Sequence, residues 1–256
     1  MGTTLGNDGN TKVYIHELIE IEGHNRARYQ HHMTANWCPV ARQERRQLCF
    51  GVWSTVGSTG RWPEVVNLWE IDGWDGMAHD LGHELGGGRD QDPSLEAWWA
   101  VAASFRRGGF DRILVPEPWS PTIGEHCSAG RRGEVYLHEL VTLPAGAAPA
   151  FLTEVVDEAV PAYGDLGAVP IGAFRVAMVA DTAAVLLWAL PHLDAWVELE
   201  QAWLTAHHDG PLVHWRKTAL GHGASWRRTL MVDAPLSPLR IGRQPTEDDR
   251  LPLDEV

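Results

Sequence analysis

Residues 13–21 read Val-Tyr-Ile-His-Glu-Leu-Ile-Glu-Ile, and residues 135–143 read Val-Tyr-Leu-His-Glu-Leu-Val-Thr-Leu. The offset from Val13 to Val135 is 122 residues. Val, Tyr, His, Glu and Leu recur in place, so the chain carries an internal repeat, which has to be found before a fold is assigned. Each copy alternates with period two, the pattern of a half-buried strand. Val13, Ile15, Glu17, Ile19 and Ile21 share one face, and Tyr14, His16, Leu18 and Glu20 the other. In the second copy Glu139 lies among aliphatics, and Tyr136 and His138 share the opposite face.

The composition narrows the function classes. The chain has 256 residues, 44% of them hydrophobic, enough to bury a full core. No apolar run approaches the ~20 residues that cross a bilayer. The N-terminal stretch has no apolar signal region. Cys38, Cys49 and Cys127 lack metal-ligand spacing and fit a reducing cytoplasm. With 21 basic and 34 acidic residues the formal charge is −13, which repels phosphate backbones and argues against nucleic acid. Thirteen Trp against four Tyr and five Phe is an unusual ratio, suited to flat walls.

Taken in order, the first half predicts a strand at 12–21, a polar helix at 24–36 stopped by Pro39, strands at 47–56 and 64–71, and a helix from Asp72. Trp74, Met77, Ala78, Leu81 and Leu85 give that helix an apolar stripe. A further helix is expected at 93–107 and a strand at 110–116. The second half predicts a strand at 134–143, a helix at 146–161, strands at 171–179 and 184–190, a helix at 191–207 and a strand at 226–233. In the helix at 191–207, Leu193, Trp196, Val197, Glu200, Trp203 and Leu204 fall on one side, and His207 and His208 sit at its end. Leu68-Trp69 echoes Leu187-Trp188, and residues 112–121 echo 228–238. Each half is then β-α-β-β-α-β, the split βαβ or ferredoxin-like order. The expected fold is α+β: two tandem ferredoxin-like units, 12–123 and 134–240, covering each other's open sheet faces as a pseudo-dimeric α+β barrel. Residues 1–11 and the acidic 241–256 are expected to be disordered tails, and 124–133 a linker.

With this element order, the Leu-Trp ending the third strand before an Asp-led helix, and the closing Pro-Glu-Pro-Trp-Ser-Pro and Ala-Pro-Leu-Ser-Pro segments, the chain resembles the NIPSNAP family of the dimeric α+β barrel superfamily. The resemblance covers nearly all of 12–123 and 134–240 and implies the barrel fold, with no one reaction. The chain departs from it in its wealth of His and Trp and in the extra helix at 93–107.

Candidate catalytic residues are His16 and His138, whose imidazoles titrate near neutrality, and Glu17 and Glu139, carboxyls among aliphatics. Arg28, His31, His32 and Trp53 have no counterpart in the second half, so a site is expected nearer the first, with His32 as a further acid–base candidate. Tyr14, Arg28, Trp53, Trp69, Tyr136 and Trp188 are candidate substrate contacts. His79 and His83, at i and i+4, are a weak metal pair without an evident third ligand. The leading expectation is a bacterial small-molecule enzyme without a cofactor, using acid–base chemistry on an aromatic or apolar substrate in isomerisation, dehydration, cyclisation or oxygenation. The alternatives are a barrel binding haem through one axial His and a non-catalytic small-molecule binder. Exposed Trp would offer a homodimer contact.

Overall fold

The computed structural model describes residues 9–85, 93–204 and 210–256. The chain is mixed α+β and divides into two compact units. The first holds residues 11–113, 122–130 and 232–256, and the second holds 131–231 with 114–121 and 9–10. His207 and His208 lie outside the described residues.

In the first unit β1 (Val13–Ile21) is followed by α1 (Arg26–His31), a π-helix (His32–Trp37) and α2 (Cys38–Glu44). Then come β2 (Gln47–Thr55), β3 (Glu64–Ile71), α3 (Gly73–Glu84), α4 (Pro93–Ala103), β4 (Arg106–Pro116) and α5 (Ile123–Ser128). β3 is the centre of an antiparallel sheet, with β1 on one side and β2 on the other. β4 runs past β1 up to Ile113, and its last residues belong to the second unit.

The second unit repeats the order with β5 (Val135–Thr142), α6 (Ala148–Glu154), a π-helix (Val155–Ala159), α7 (Val160–Gly164), β6 (Val169–Val176) and β7 (Ala183–Leu190). It continues with α8 (Leu193–Leu204), α9 (Pro211–Gly221) and β8 (Ser225–Asp233), and α10 (Pro238–Ile241) follows in the first unit. β5 pairs with β7 and β8, and β6 with β7 and the end of β4.

Two local devices recur in both units. Pro39 does not stop the first helix as expected. A proline lacks the N–H of the α-helical ladder, and its ring collides with the carbonyl four residues back. The wider π-turn just before Pro39, and again before Pro161, carries the helix through. In addition, β2 and β6 each shift register at a glycine, Gly51 and Gly172. The ring two residues on lies over it: a Cβ at Gly51 would be 2.1 Å from Trp53, and one at Gly172 would be 2.4 Å from Phe174.

Several expectations are corrected. The second half also carries a helix not expected from the sequence, α9, which follows α8 as α4 follows α3 and buries Leu212, Val213, Trp215 and Ala219. The apolar stripe of α3 faces outward, with Trp74 54%, Leu81 41% and Leu85 60% exposed. Met77 and Asp80 are the buried pair. Arg45 donates from Nε to Asp80 Oδ1 at 2.6 Å and from Nη2 to Glu84 Oε2 at 3.0 Å, and this ion pair turns the polar side inward. In α8 the buried face is Ala195, Leu199 and Trp203, while Leu193, Val197 and Leu204 are exposed.

Residues 241–256 are not a loose tail, and Ile123–Ser128 puts a helix into the expected linker. The bulge in β2 leaves both backbone groups of Cys49 to Gln244, which accepts from Cys49 N at 3.0 Å and donates to its carbonyl at 2.7 Å. Arg250 Nε donates at 3.3 Å to Ala35 O, the carbonyl that Pro39 cannot serve in an α-turn. Leu251 N donates to His31 Nε2 at 3.0 Å, and Leu253 packs on the first unit's core. Acidic composition hid these partners. Truncation after Gly242 should cost about 4 kcal/mol, roughly 1 kcal/mol for each of these four lost hydrogen bonds, read as a lower midpoint in urea unfolding.

Candidate active site

Cross-strand pairing sorts the candidates by face. Glu17 pairs with Asn67, and Ile15 with Trp69, so Glu17, Asn67 and Trp69 share one face of β1 and β3. Ile15, Ile19 and Trp69 of that face pack with Tyr29, Met33 and Trp37 of the covering helices. His16 pairs with Leu68 and Trp53 with Val66, which puts Tyr14, His16 and Trp53 on the opposite face. There Tyr14 donates to Glu70 Oε2 at 3.0 Å and meets Phe50 edge-on at 5.6 Å. His16 and Trp53 are wholly buried. Arg28 is exposed on α1.

On the helix-covered face, Trp69 Nε1 donates to Glu17 Oε2 at 2.7 Å, and Asn67 Nδ2 donates to the same oxygen at 2.8 Å. Asn67 Nδ2 also reaches Tyr29 Oη at 3.0 Å. Both donors converge on Oε2. Burial pushes the Glu17 carboxyl up to about 7, the charge of Asp111 adds to this, and Trp69, Asn67 and Arg106 oppose it. Glu17 nonetheless retains some accessible surface. Burial, with Glu17 next to it, also raises the Tyr29 phenol, which stays protonated.

An aromatic wall belongs to the same core. His32 stacks on Trp98 at 4.7 Å, Trp37 meets Trp98 at 4.5 Å, and Trp98 meets Trp99 edge-on at 5.2 Å. The Arg106 guanidinium lies 3.7 Å above the Trp99 ring. Burial pushes the His32 imidazole below its usual range, the Trp98 carbonyl opposing. Both His32 ring nitrogens are engaged, Nδ1 with Asn36 Nδ2 at 3.1 Å and Nε2 with Trp98 O at 3.4 Å. His31 Nε2 is taken by Leu251. The histidines of this helix layer therefore do not fit an axial haem ligand.

The second unit builds the same face differently. Glu139 is wholly buried. Tyr163 Oη donates to its Oε1 at 2.9 Å and Trp188 Nε1 to its Oε2 at 2.9 Å, the two rings stacked at 4.2 Å. Arg228 Nε also donates to Oε1, at 3.0 Å, while Arg228 Nη1 reaches Glu200 Oε1 at 2.8 Å. His138 and Tyr136 are buried on the other face, and Tyr136 Oη accepts from Gly133 N at 3.1 Å.

The structure thus joins Glu17 with Trp69 and Glu139 with Trp188, and separates both pairs from the Tyr-His face. His79 is exposed, and His83 stands 3.8 Å from Glu44 Oε2. Among the described residues no cluster of three metal-ligating side chains occurs. Sequence reasoning missed Asn67, Arg106 and Asp111. The one available signal was Asn67, a lone amide in the run Glu-Val-Val-Asn-Leu-Trp, two residues before Trp69 and hence on its face.

No protein-family model matches the chain, and no curated protein does. Solved structures do. A proposed monooxygenase from Lactobacillus acidophilus superposes with a TM-score of 0.56 at 9% identity, covering 88% of this chain and 95% of its own. One from Fusobacterium nucleatum gives 0.50 at 7%, covering 88% and 93%. A haem-binding protein from Thermus thermophilus gives 0.45 at 10%, covering 88% and 91%, too distant to carry an argument. The first two show that this chain shares their fold, and nothing of the reaction. Among the described residues no helix is long and apolar enough to cross a membrane.

Proposed function

We propose that the chain is a small-molecule enzyme that uses Glu17 as its acid–base group, on the helix-covered face of the first unit. The observation that supports it is a partly accessible carboxyl fixed by two donors on one oxygen and pushed up to about 7 by burial. A general base works best when it titrates near the working pH. The Trp98–Trp99 wall selects an aromatic or apolar substrate. In the step proposed, Glu17 Oε1 takes a proton from a carbon next to a carbonyl. The C–H electron pair moves onto the carbonyl oxygen as an enolate, and Arg106 is the nearby cation that favours it. Returned at another position, the proton gives an isomerisation. Delivered instead to a leaving β-hydroxide, the proton departs with it as water and completes a dehydration. Attack of the enolate carbon on a second carbonyl of the substrate closes a ring. Oxygenation takes dioxygen as its oxidant. The wider reading keeps two ferredoxin-like units in tandem and the NIPSNAP-like closing segments. The matched Glu17–Trp69 and Glu139–Trp188 bonds favour the tandem. A cytoplasmic location rests on the sparse cysteines.

The test is α-proton exchange of aryl ketones such as 2-tetralone in deuterated water, followed by NMR. The protein should accelerate exchange with a midpoint near pH 7, and Glu17→Gln should remove the acceleration by about 10²-fold or more. Exchange that survives Glu17→Gln unchanged would overturn the assignment.

A further inference from the structure

The two repeated carboxyls have opposite neighbours. In the second unit Glu139 pairs across the ladder with Arg228 of β8. In the first unit β4 takes the place of β8, and its register follows from two contacts. Glu22 N donates to Phe105 O at 2.8 Å. Further along, a Cβ at Gly109 would lie 2.9 Å from Leu18 O and 3.5 Å from Ile19 Cα. As β4 advances, β1 recedes, so the strands are antiparallel, and two residues beyond Gly109 Asp111 comes beside Glu17. A carboxyl thus stands where the second unit has a guanidinium.

We propose that this charge reversal divides two equivalent carboxyls between two jobs: Asp111 keeps Glu17 in proton exchange, and Arg228 locks Glu139 into a structural ion pair. Asp111 is a positioning residue that acts through Glu17, so the inference rests on the functional reading above. Glu17 is faced by Asn67 and Trp69 from β3, Tyr29 from α1, Cys49 from β2, and Asp111 and Arg106 from β4. Asp111 is exposed at its outer edge, and the covered part of its carboxyl raises it, with Arg106 lowering it and Glu84 of α3 raising it. Among these groups Asp111 is the carboxyl whose charge works against ionisation of Glu17. Arg228 is held at both ends, between Glu139 and Glu200, with its guanidinium 4.6 Å above the Trp203 ring. Both Glu139 oxygens are taken by donors, Oε1 by Tyr163 and Arg228 and Oε2 by Trp188.

The experiment follows the Glu17 carboxyl by ¹³C NMR on the full chain labelled at glutamate Cδ, with the resonance assigned by its loss in Glu17→Gln. Asp111→Asn should lower the Glu17 midpoint by about half a pH unit, water screening the exposed charge, and Asp111→Arg by about one. Asp111→Glu, which keeps the charge, should hold it near the wild-type value. A structural role alone would not sort the variants by charge. Midpoints that stay within about 0.3 of wild type in both Asn and Arg variants would overturn the proposal. If Asp111→Arg does not fold, the nearly isosteric Asn variant decides. Ketone exchange on the same samples separates the two claims. A midpoint that moves while exchange ignores it sinks the functional reading and leaves the charge reversal standing. Glu17-dependent exchange with an unmoved midpoint does the reverse.

Discussion

Arg228→Met should destabilise the protein by about 3–5 kcal/mol at pH 7 in denaturant unfolding, the cost of stranding a buried carboxylate. Glu139 has no exposed surface, and the variant leaves it only the neutral donors Tyr163 and Trp188. Those two hydrogen bonds do not replace a guanidinium at 3.0 Å. Adding Glu139→Gln to Arg228→Met should recover most of the loss. The amide oxygen can accept from Trp188 Nε1 while the amide nitrogen donates to the Tyr163 hydroxyl, which accepts as well as donates, and replacement of a whole buried ion pair by uncharged groups is often near neutral. Equal destabilisation in the single and double variants would show that packing of the Arg228 stem, and not its charge, holds the strand.

That ion pair also shows where sequence reading succeeds and fails here. The nine-residue repeat located β1 and β5, and period-two alternation divided their faces correctly. Alternation is silent on which face a helix covers. That depends on the connection that follows, where the π-turn before Pro39 lets the chain lie over Ile15 and Ile19. The charge reversal was hidden for a related reason. Read as letters, Arg112-Ile-Leu-Val-Pro matches Arg228-Thr-Leu-Met-Val, so Arg228 seems to have an arginine counterpart. Register puts Asp111 beside Glu17 instead, one residue away from that alignment, and a one-residue shift turns a side chain to the other face of a sheet. The docked segment 241–256 was missed because acidic composition says nothing about single partners such as Gln244 on Cys49. The outward stripe of α3 was misread because a buried Asp80–Arg45 pair can outweigh the apolar side of a helix.

Glu17→Gln should stabilise the protein by about 2 kcal/mol above pH 8 while removing its exchange activity. The sign follows from linkage. The Glu17 carboxyl titrates at about 7 in the folded protein against 4.5 as the ordinary value. Below about pH 4.5 it is protonated in both folded and unfolded chains. Between there and pH 7 only the folded chain holds the proton, so stability falls as the pH rises. Above pH 7 both forms are ionised, and the folded state carries the full cost, at most about 3 kcal/mol for such a shift. Glu17 is partly accessible, which brings the expectation nearer 2 kcal/mol. The glutamine is neutral at every pH, and its amide oxygen keeps the Trp69 and Asn67 bonds, so the variant escapes that cost. In thermal unfolding the two proteins should coincide near pH 4.5 and separate by roughly 5 °C at pH 8. Curves that run parallel across this range would mean that Glu17 ionises without penalty, and a carboxyl of that kind would be a poor base at neutral pH. A gain confined to high pH, paired with loss of exchange, is the pattern expected of a residue kept against stability for its chemistry.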